Sequence, residues 1–414
     1  MPEYSIRDRC HVNTNQDSDS FVGIKCTNGN ISINFPLGFH LAEDDKELRK
    51  DIRLLLRVLA SSTEKIESRM SSEALKFFDV NIPLQAYIYL ISDFYTNGIY
   101  KEREIQYQIS NRGKPSWNRT IKSQKPYIQG NESFYLQFVS RKSQVSENEL
   151  ISLIHEYCIY ESFKYMGWLF TASVPVKPKI KFNKNIFASV VQDKYNNTFN
   201  DRNKQLFQNM LAVINHSGDP NGPMNYKYGT YRFEYVWENM IDRVYGIHEK
   251  EKYFPLTFWH LPGTWYRKEN FHRNASLKPD TIMLYGRNIY VLDAKYYKFG
   301  ATGSPKDLPE STDINKQITY GEFIAEQENI KRIHGKDYEV YNAFIMPFDA
   351  KSPLWSSDRN VINIGEATGN WKNNNKKYER IQGILMDVKH MMEITVYQDK
   401  EEIGRLAACI ERSK

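Results

Sequence analysis

The segment KPDTIMLYGRNIYVLDAKYY, residues 278–297, constrains the fold more than any other stretch of the chain. Apolar residues alternate on both sides of Gly286-Arg287, the pattern of two strands joined by a tight turn. With the turn centred there, Leu284 faces Ile289, Ile282 faces Val291 and Asp280 faces Asp293. A four-residue loop, Tyr285 to Asn288, gives the same register. Side chains alternate between the two faces of a strand, so these six share one face and Lys295 joins them beside Asp293. The face is apolar near the turn and ends in two opposed carboxylates with a lysine alongside.

Opposed residues on such a pair have Cβ atoms about 5 Å apart. Two like charges at that distance repel, and partial burial strengthens the repulsion. A divalent cation relieves it directly, and Mg²⁺ takes hard oxygen ligands, commonly one or two carboxylates with water and substrate phosphate. Lys295 alone neutralises only one of the two. Such a site can activate a water and stabilise charge on a phosphoryl oxygen, the chemistry of phosphodiester hydrolysis. Asp-x-Lys by itself is a weak signal, and taken alone it is more often a strand-end or surface ion pair. The chain has three further copies, at Asp44–Lys46, Asp349–Lys351 and Asp387–Lys389. Only Asp293–Lys295 has a Pro-Asp upstream at hairpin distance.

Two helices flank this hairpin in sequence. YRFEYVWENMIDRVYG (231–246) places Phe233, Val236, Trp237, Met240, Ile241 and Val244 on one stripe, with Glu234 and Glu238 at its border. Glu238 could reach the carboxylate pair or a water beside it; the alternative is a solvated flank, which is the reading preferred for Glu234. In STDINKQITYGEFIAEQ (311–327), Ser311, Thr312 and Asp313 are candidate N-caps, and Gln317, Tyr320, Gly321 and Ile324 form a stripe. Gln317 and Tyr320 are polar-tipped members of an inward face. They could orient the lysine or touch a DNA backbone, or pack as ordinary helix residues.

The 414 residues, 41% hydrophobic and 26% charged, predict more than one domain. The net charge of +6 permits a polyanionic partner without requiring one. Four scattered cysteines form neither a zinc-ligand spacing nor a disulfide framework, and no apolar run approaches about 20 residues. A cytoplasmic protein with no membrane association is expected. Neither G-x-x-x-x-G-K-[ST] nor G-x-G-x-x-G occurs, so nucleotide hydrolysis by this chain is not expected. Patterning predicts a hairpin over 21–39 with its turn at Asn28-Gly29. It predicts helices over 45–62, 83–98, 146–170, 201–218 and 400–412, the third opening with a Ser146/Glu149 capping box. Strands are expected over 341–348 and 380–392. Three regions follow: an α+β partner- or DNA-contact domain over 1–145, a helical connector over 146–225, and an α/β domain over 226–414.

Glu238, Pro279-Asp280, Asp293-Ala294-Lys295, Gln317 and Tyr320 together resemble the PD-(D/E)XK, restriction-endonuclease-like nuclease core, in its variant with a Gln…Tyr helix. INFPLGFHL, GKPSWNRTIK, FEYVWENM, LKPDTIML, VLDAKYY and DINKQITYGEF resemble the LlaJI family of restriction endonucleases, which is similar to McrC, the nuclease subunit of McrBC-type systems. The resemblance implies an α/β nuclease core preceded by a mixed α+β region. It also implies cleavage of double-stranded DNA with Mg²⁺, or Mn²⁺ in its place. Asp280, Asp293 and Glu238 would serve the metal and Lys295 would position or activate water. Gln317 and Tyr320 stand one residue closer than the family's Gln-x-x-x-Tyr. The implied partner is an McrB-like AAA+ GTPase, which agrees with the missing P-loop. A stand-alone type II endonuclease is one alternative; a binding module that stimulates a GTPase and cuts little is another. In GKPSWNRTIK, Lys114, Trp117, Arg119 and Lys122 mix cations with an aromatic ring, which suits DNA phosphate, the GTPase partner or solvent alone.

Overall fold

A computed structural model describes residues 5–69, 78–145, 149–171, 174–217, 225–263, 270–273, 276–335, 337–355, 359–397 and 401–412. It is a mixed α/β structure with several sheets, divided into two compact units. One unit joins Met1–Asn81 to Pro223–Lys414, and the other is Ile82–Gly222. The break at 222/223 falls beside the expected division at 225, while the expected division at 145 falls inside the second unit. The N-terminal segment is not a separate domain, because its strands share a sheet with a strand that follows residue 225.

That sheet contains β1 (Cys10–Val12), β2 (Val22–Thr27), β3 (Asn30–Phe35), β4 (Phe78–Val80) and β5 (Tyr226–Thr230), in the order β1–β3–β2–β5–β4. β2 and β3 form the hairpin expected at Asn28-Gly29, and both turn residues have positive φ, as a tight two-residue turn requires. β4 and β5 pair antiparallel. The chain therefore leaves for residue 82 and returns near 223 at adjacent strands, the arrangement of an inserted unit. Helix α1 (Asp45–Arg69) follows β3.

A second sheet follows helix α2 (Phe233–Tyr245). Its strands are β6 (Thr281–Tyr285), β7 (Asn288–Ala294), β8 (Val340–Phe348), β9 (Val361–Ala367) and β10 (Ile381–Asp387), in the order β6–β7–β8–β10–β9. β7, β8 and β10 run parallel, and β6 and β9 are antiparallel edges. The parallel strands read as near-continuous apolar runs because both of their faces are buried. Helix α3 (Ser311–Glu326) lies in the crossover from β7 to β8. Its Tyr320 and Ile324 pack on Ile282, Ile289 and Val291, the apolar half of the hairpin face. Ile318 packs on Phe344 and Ile381.

Two expectations shift in detail. Residues 380–392 are not one strand: Asp387 ends β10 and its Oδ1 accepts from the His390 amide at 2.8 Å, starting helix α4 (Val388–Tyr397). The N-cap of α3 is Glu310, one residue before the three candidates, and it forms a capping box with Asp313. Helix α5 (Glu401–Glu411) closes the fold. In the inserted unit, helices span Leu84–Asn97, Leu150–Met166, Lys184–Asn197 and Asp201–His216. Ser146 of the expected capping box lies outside the described residues. Among the described residues no helix is long and apolar enough to cross a membrane.

Candidate active site

The hairpin has the register that alternation predicts. Leu284 pairs with Ile289 and Ile282 with Val291. The ladder runs as far as Thr281–Leu292, and Asp280 lies one step beyond, against Asp293. Asp280 is tied to the second strand by its own carboxylate, whose Oδ2 accepts from the Ala294 amide at 3.0 Å. The Asp293 charge acts directly on the Asp280 carboxyl.

Three further contacts hold the Lys278–Asp280 approach to the strand. Lys250 Nζ donates to the Asp280 carbonyl at 2.5 Å and to Asp242 Oδ1 at 2.7 Å. The Tyr320 hydroxyl donates to the Lys278 carbonyl at 3.4 Å. Asp280 is thus placed by residues from α2, α3 and β7 together.

Lys295 continues the extended chain, because its amide donates to the Ile345 carbonyl on β8 at 2.9 Å. Its side chain therefore returns to the face of Asp293. The ammonium lies 3.0 Å from Asp293 Oδ2 and 2.9 Å from Asp313 Oδ1. Asp313 also accepts from the Tyr297 hydroxyl at 3.1 Å. Burial works against the charge on Lys295, but Asp293 and Asp313 outweigh it and hold the lysine above its ordinary pKa. The same bond to Lys295 outweighs burial at Asp313 and keeps that carboxyl below its usual value.

Glu238 is brought to this cluster. Its helix is fixed by Trp237, fully buried, whose indole donates to the Ile345 carbonyl at 3.1 Å. Burial, then the Asp293 charge, pushes the Glu238 carboxyl up to about 7. Burial and then Asp293 push Asp280 well above the usual carboxyl range. Glu234 stays at the border of the helix and pairs with Arg232.

Gln317 is not brought to the carboxylates. It is 1% exposed, and its amide donates to the Val291 carbonyl at 2.7 Å, so it braces β7 from beneath. The side chains of α3 that do face the acidic end are Asp313, Lys316 and Tyr320. Lys316 lies beside Tyr320, its ammonium 5.7 Å from the ring centroid, and feels the charges of Asp293 and Asp280. Asp313 and Lys316 were not singled out for the site from sequence. Their signal was helical spacing, since 313, 316 and 320 share a face at intervals of three and four.

The opposed, part-buried carboxylates with Glu238 beside them suit a hard divalent cation, since Asp280 and Glu238 resist ionising beside the Asp293 charge. Among the described residues no three His, Cys, Asp or Glu side chains converge closely enough to enclose a metal by themselves. A cation here would take the rest of its ligands from water and substrate, which is the habit of Mg²⁺.

The motif INFPLGFHL gains a structural meaning. The Leu37 amide donates to the buried Tyr296 hydroxyl at 2.7 Å, and His40 Nδ1 lies 3.0 Å from Asp349 Oδ2. Gly38, at φ +79°, leaves only 3.2 Å between an added Cβ and the Phe348 backbone. The loop after β3 thus closes over the carboxyl ends of β7 and β8.

In the inserted unit, Lys114 lies on a short strand and Trp117, Arg119 and Lys122 on helix Trp117–Ser123. All four are exposed. The Arg119 guanidinium stacks 3.8 Å from the Tyr107 ring centroid, and Trp117 meets Phe138 edge-on at 5.4 Å. Tyr107, Ile109, Ile121, Tyr127 and Ile128 of this unit are also exposed.

A family model described as LlaJI restriction endonuclease matches residues 21–362. The component YdjA of the type II restriction enzyme BsuMI of Bacillus subtilis (strain 168) is 26% identical over 265 residues, 60% of this chain. The match spans 55% of that protein, so the chain covers about half of its relative's length. With its family model matched across the site and both flanking helices, the chain belongs to the LlaJI restriction endonuclease family.

Proposed function

We propose that the chain is a Mg²⁺-dependent endonuclease with a PD-(D/E)XK-type core, cutting double-stranded DNA within a restriction system. The observation that carries this reading is the pair Asp280/Asp293, opposed across one hairpin with Lys295 clamped beside them. Family membership supports a restriction nuclease, and the relative's description as a component of a restriction enzyme supports work alongside other proteins. The partner proposed is an McrB-like AAA+ GTPase, for which the exposed surface around Trp117 and Arg119 is the candidate contact.

Asp280 and Asp293 would hold the cation, with Glu238 reaching it directly or through water. The cation's contribution is to neutralise charge on a phosphoryl oxygen and to acidify a water. Lys295 keeps its proton between Asp293 and Asp313, so it acts as a fixed positive charge and not as a base. Glu238, pushed up to about 7, is poised to exchange a proton near neutral pH. Gln317 fixes the height of β7, and Tyr320 fixes the approach to Asp280.

The test is cleavage of plasmid DNA in Mg²⁺ by wild type and Asp293→Ala, each with and without the candidate GTPase and GTP. Cutting that needs the partner and disappears in Asp293→Ala supports the whole reading. Cutting by wild type alone leaves the site in place and removes the partner. Equal cutting by Asp293→Ala removes the site.

A further inference from the structure

Lys295 and Lys316 both stand at the acidic end of the hairpin face, and they are held differently. Lys295 is 14% exposed in its side chain and spans two carboxylates, so it cannot turn to a substrate without deserting one of them. Lys316 is exposed. Among the described residues it makes no ion pair within 4.0 Å. Its neighbour is Tyr320, whose hydroxyl donates to the Lys278 carbonyl next to Pro279-Asp280. Its ammonium lies 5.7 Å from the Tyr320 ring centroid. Tyr320 is 2% exposed and immobilised by packing on Ile282, Val291 and Ile324, so it is a rigid post that aims a solvent-facing cation over the carboxylates.

We propose that Lys316 is the residue that docks a DNA backbone phosphate at this site, and that Lys295 is reserved for holding Asp293. This rests on the nuclease reading above and deepens it by naming the substrate-binding cation. A cluster of three acids repels a polyanion, and approach needs a positive group that is neither buried nor already neutralised. Lys316 meets both conditions; Lys295 meets neither. Tyr320 acts through Lys316 and the Lys278 carbonyl and is a positioning residue.

The experiment is binding of a fluorescein-labelled DNA duplex to the full-length chain by anisotropy, with Ca²⁺ replacing Mg²⁺ so that the duplex stays intact. It is run at several KCl concentrations for wild type, Lys316→Gln and Lys316→Arg, with thermal unfolding of each. The expected result is about tenfold weaker binding for Lys316→Gln and a salt slope shallower by about one, the mark of one lost phosphate contact. Lys316→Arg should keep the slope. Unchanged affinity, or weaker binding with an unchanged slope, overturns the assignment. So does a wild type that binds no DNA, and the nuclease reading is then decided separately by the cleavage assay with the partner present. If the slope depends on Lys316 but Asp293→Ala cleaves DNA like wild type, the contact stands and the nuclease site falls.

Discussion

The chain carries the tripeptide Asp-Ala-Lys twice, at 293–295 and 349–351, after neighbouring parallel strands of one sheet. In the first copy the strand continues through Ala294, and the Lys295 amide still bonds to β8. Extended backbone puts residues i and i+2 on one face, so Lys295 meets Asp293 and both meet Asp280. In the second copy the strand ends at Phe348. Asp349 Oδ1 accepts from the Lys351 amide at 2.8 Å, and its carbonyl accepts from Ser352 at 3.0 Å. The chain turns, Lys351 goes to solvent, and Asp349 faces His40. Asp387, in the Asp387–Lys389 pair, caps helix α4 and bonds the Ala350 amide at 2.9 Å, while Lys389 pairs with Asp51 at 2.7 Å. One short motif therefore makes a charged cluster, a turn or a helix cap. What decides is whether the strand keeps its neighbour for two more residues, and whether an acid stands opposite.

The largest effect should separate the two copies. Asp293→Asn should lower the DNA cleavage rate by about a thousandfold, whereas Asp349→Asn should leave it within about twofold of wild type. Equal losses in a plasmid-nicking assay would erase the distinction.

Next in size is Lys295→Ala. It leaves Asp293 and Asp313 without their shared cation, and removing one member of a buried pair costs about 3 kcal/mol. The exposed Lys351→Ala should cost less than about 0.5 kcal/mol. Urea unfolding of the two variants gives the contrast directly.

Asp387→Ala removes two backbone hydrogen bonds and should destabilise by about 1 kcal/mol, with cleavage largely retained. A loss of cleavage that stability cannot account for would mean that the second acidic region takes part in the reaction.

The smallest effect is a slope with pH. The folded-state value of Glu238, about 7, lies above its ordinary 4.5, so between these limits the folded protein binds more protons than the unfolded chain. In EDTA, its contribution to stability is therefore present at low pH and lost as pH rises towards 7. Glu238→Gln should flatten that part of the melting-temperature curve. An unchanged curve would place Glu238 in solvent, away from the cluster.

The hairpin register was legible because alternation with period two leaves no freedom once the turn is located. Asp280 and Asp293 were bound to meet, and they do. The helix stripe was less decisive. Gln317 and Lys316 stand three and four residues before Tyr320, and a repeat of 3.6 residues does not separate them. Packing on β7 separates them: Gln317 turns under the strand to Val291, and Lys316 stays outside. Asp313 read as a cap, and it joins one, but its charge is spent on Lys295. The pairing of β4 with β5 was not legible, because it joins residues about 150 apart.

Local sequence determined the carboxylate pair, since turn chemistry and alternation act over a few residues and need no other part of the chain. Tertiary structure decided everything that makes the pair a site. It set which lysine is clamped and which is exposed, how near Glu238 comes, and why the loop Pro36–His40 closes over the strand ends. Those outcomes depend on burial and on charges brought from distant segments, and neither is a property of any short stretch of sequence.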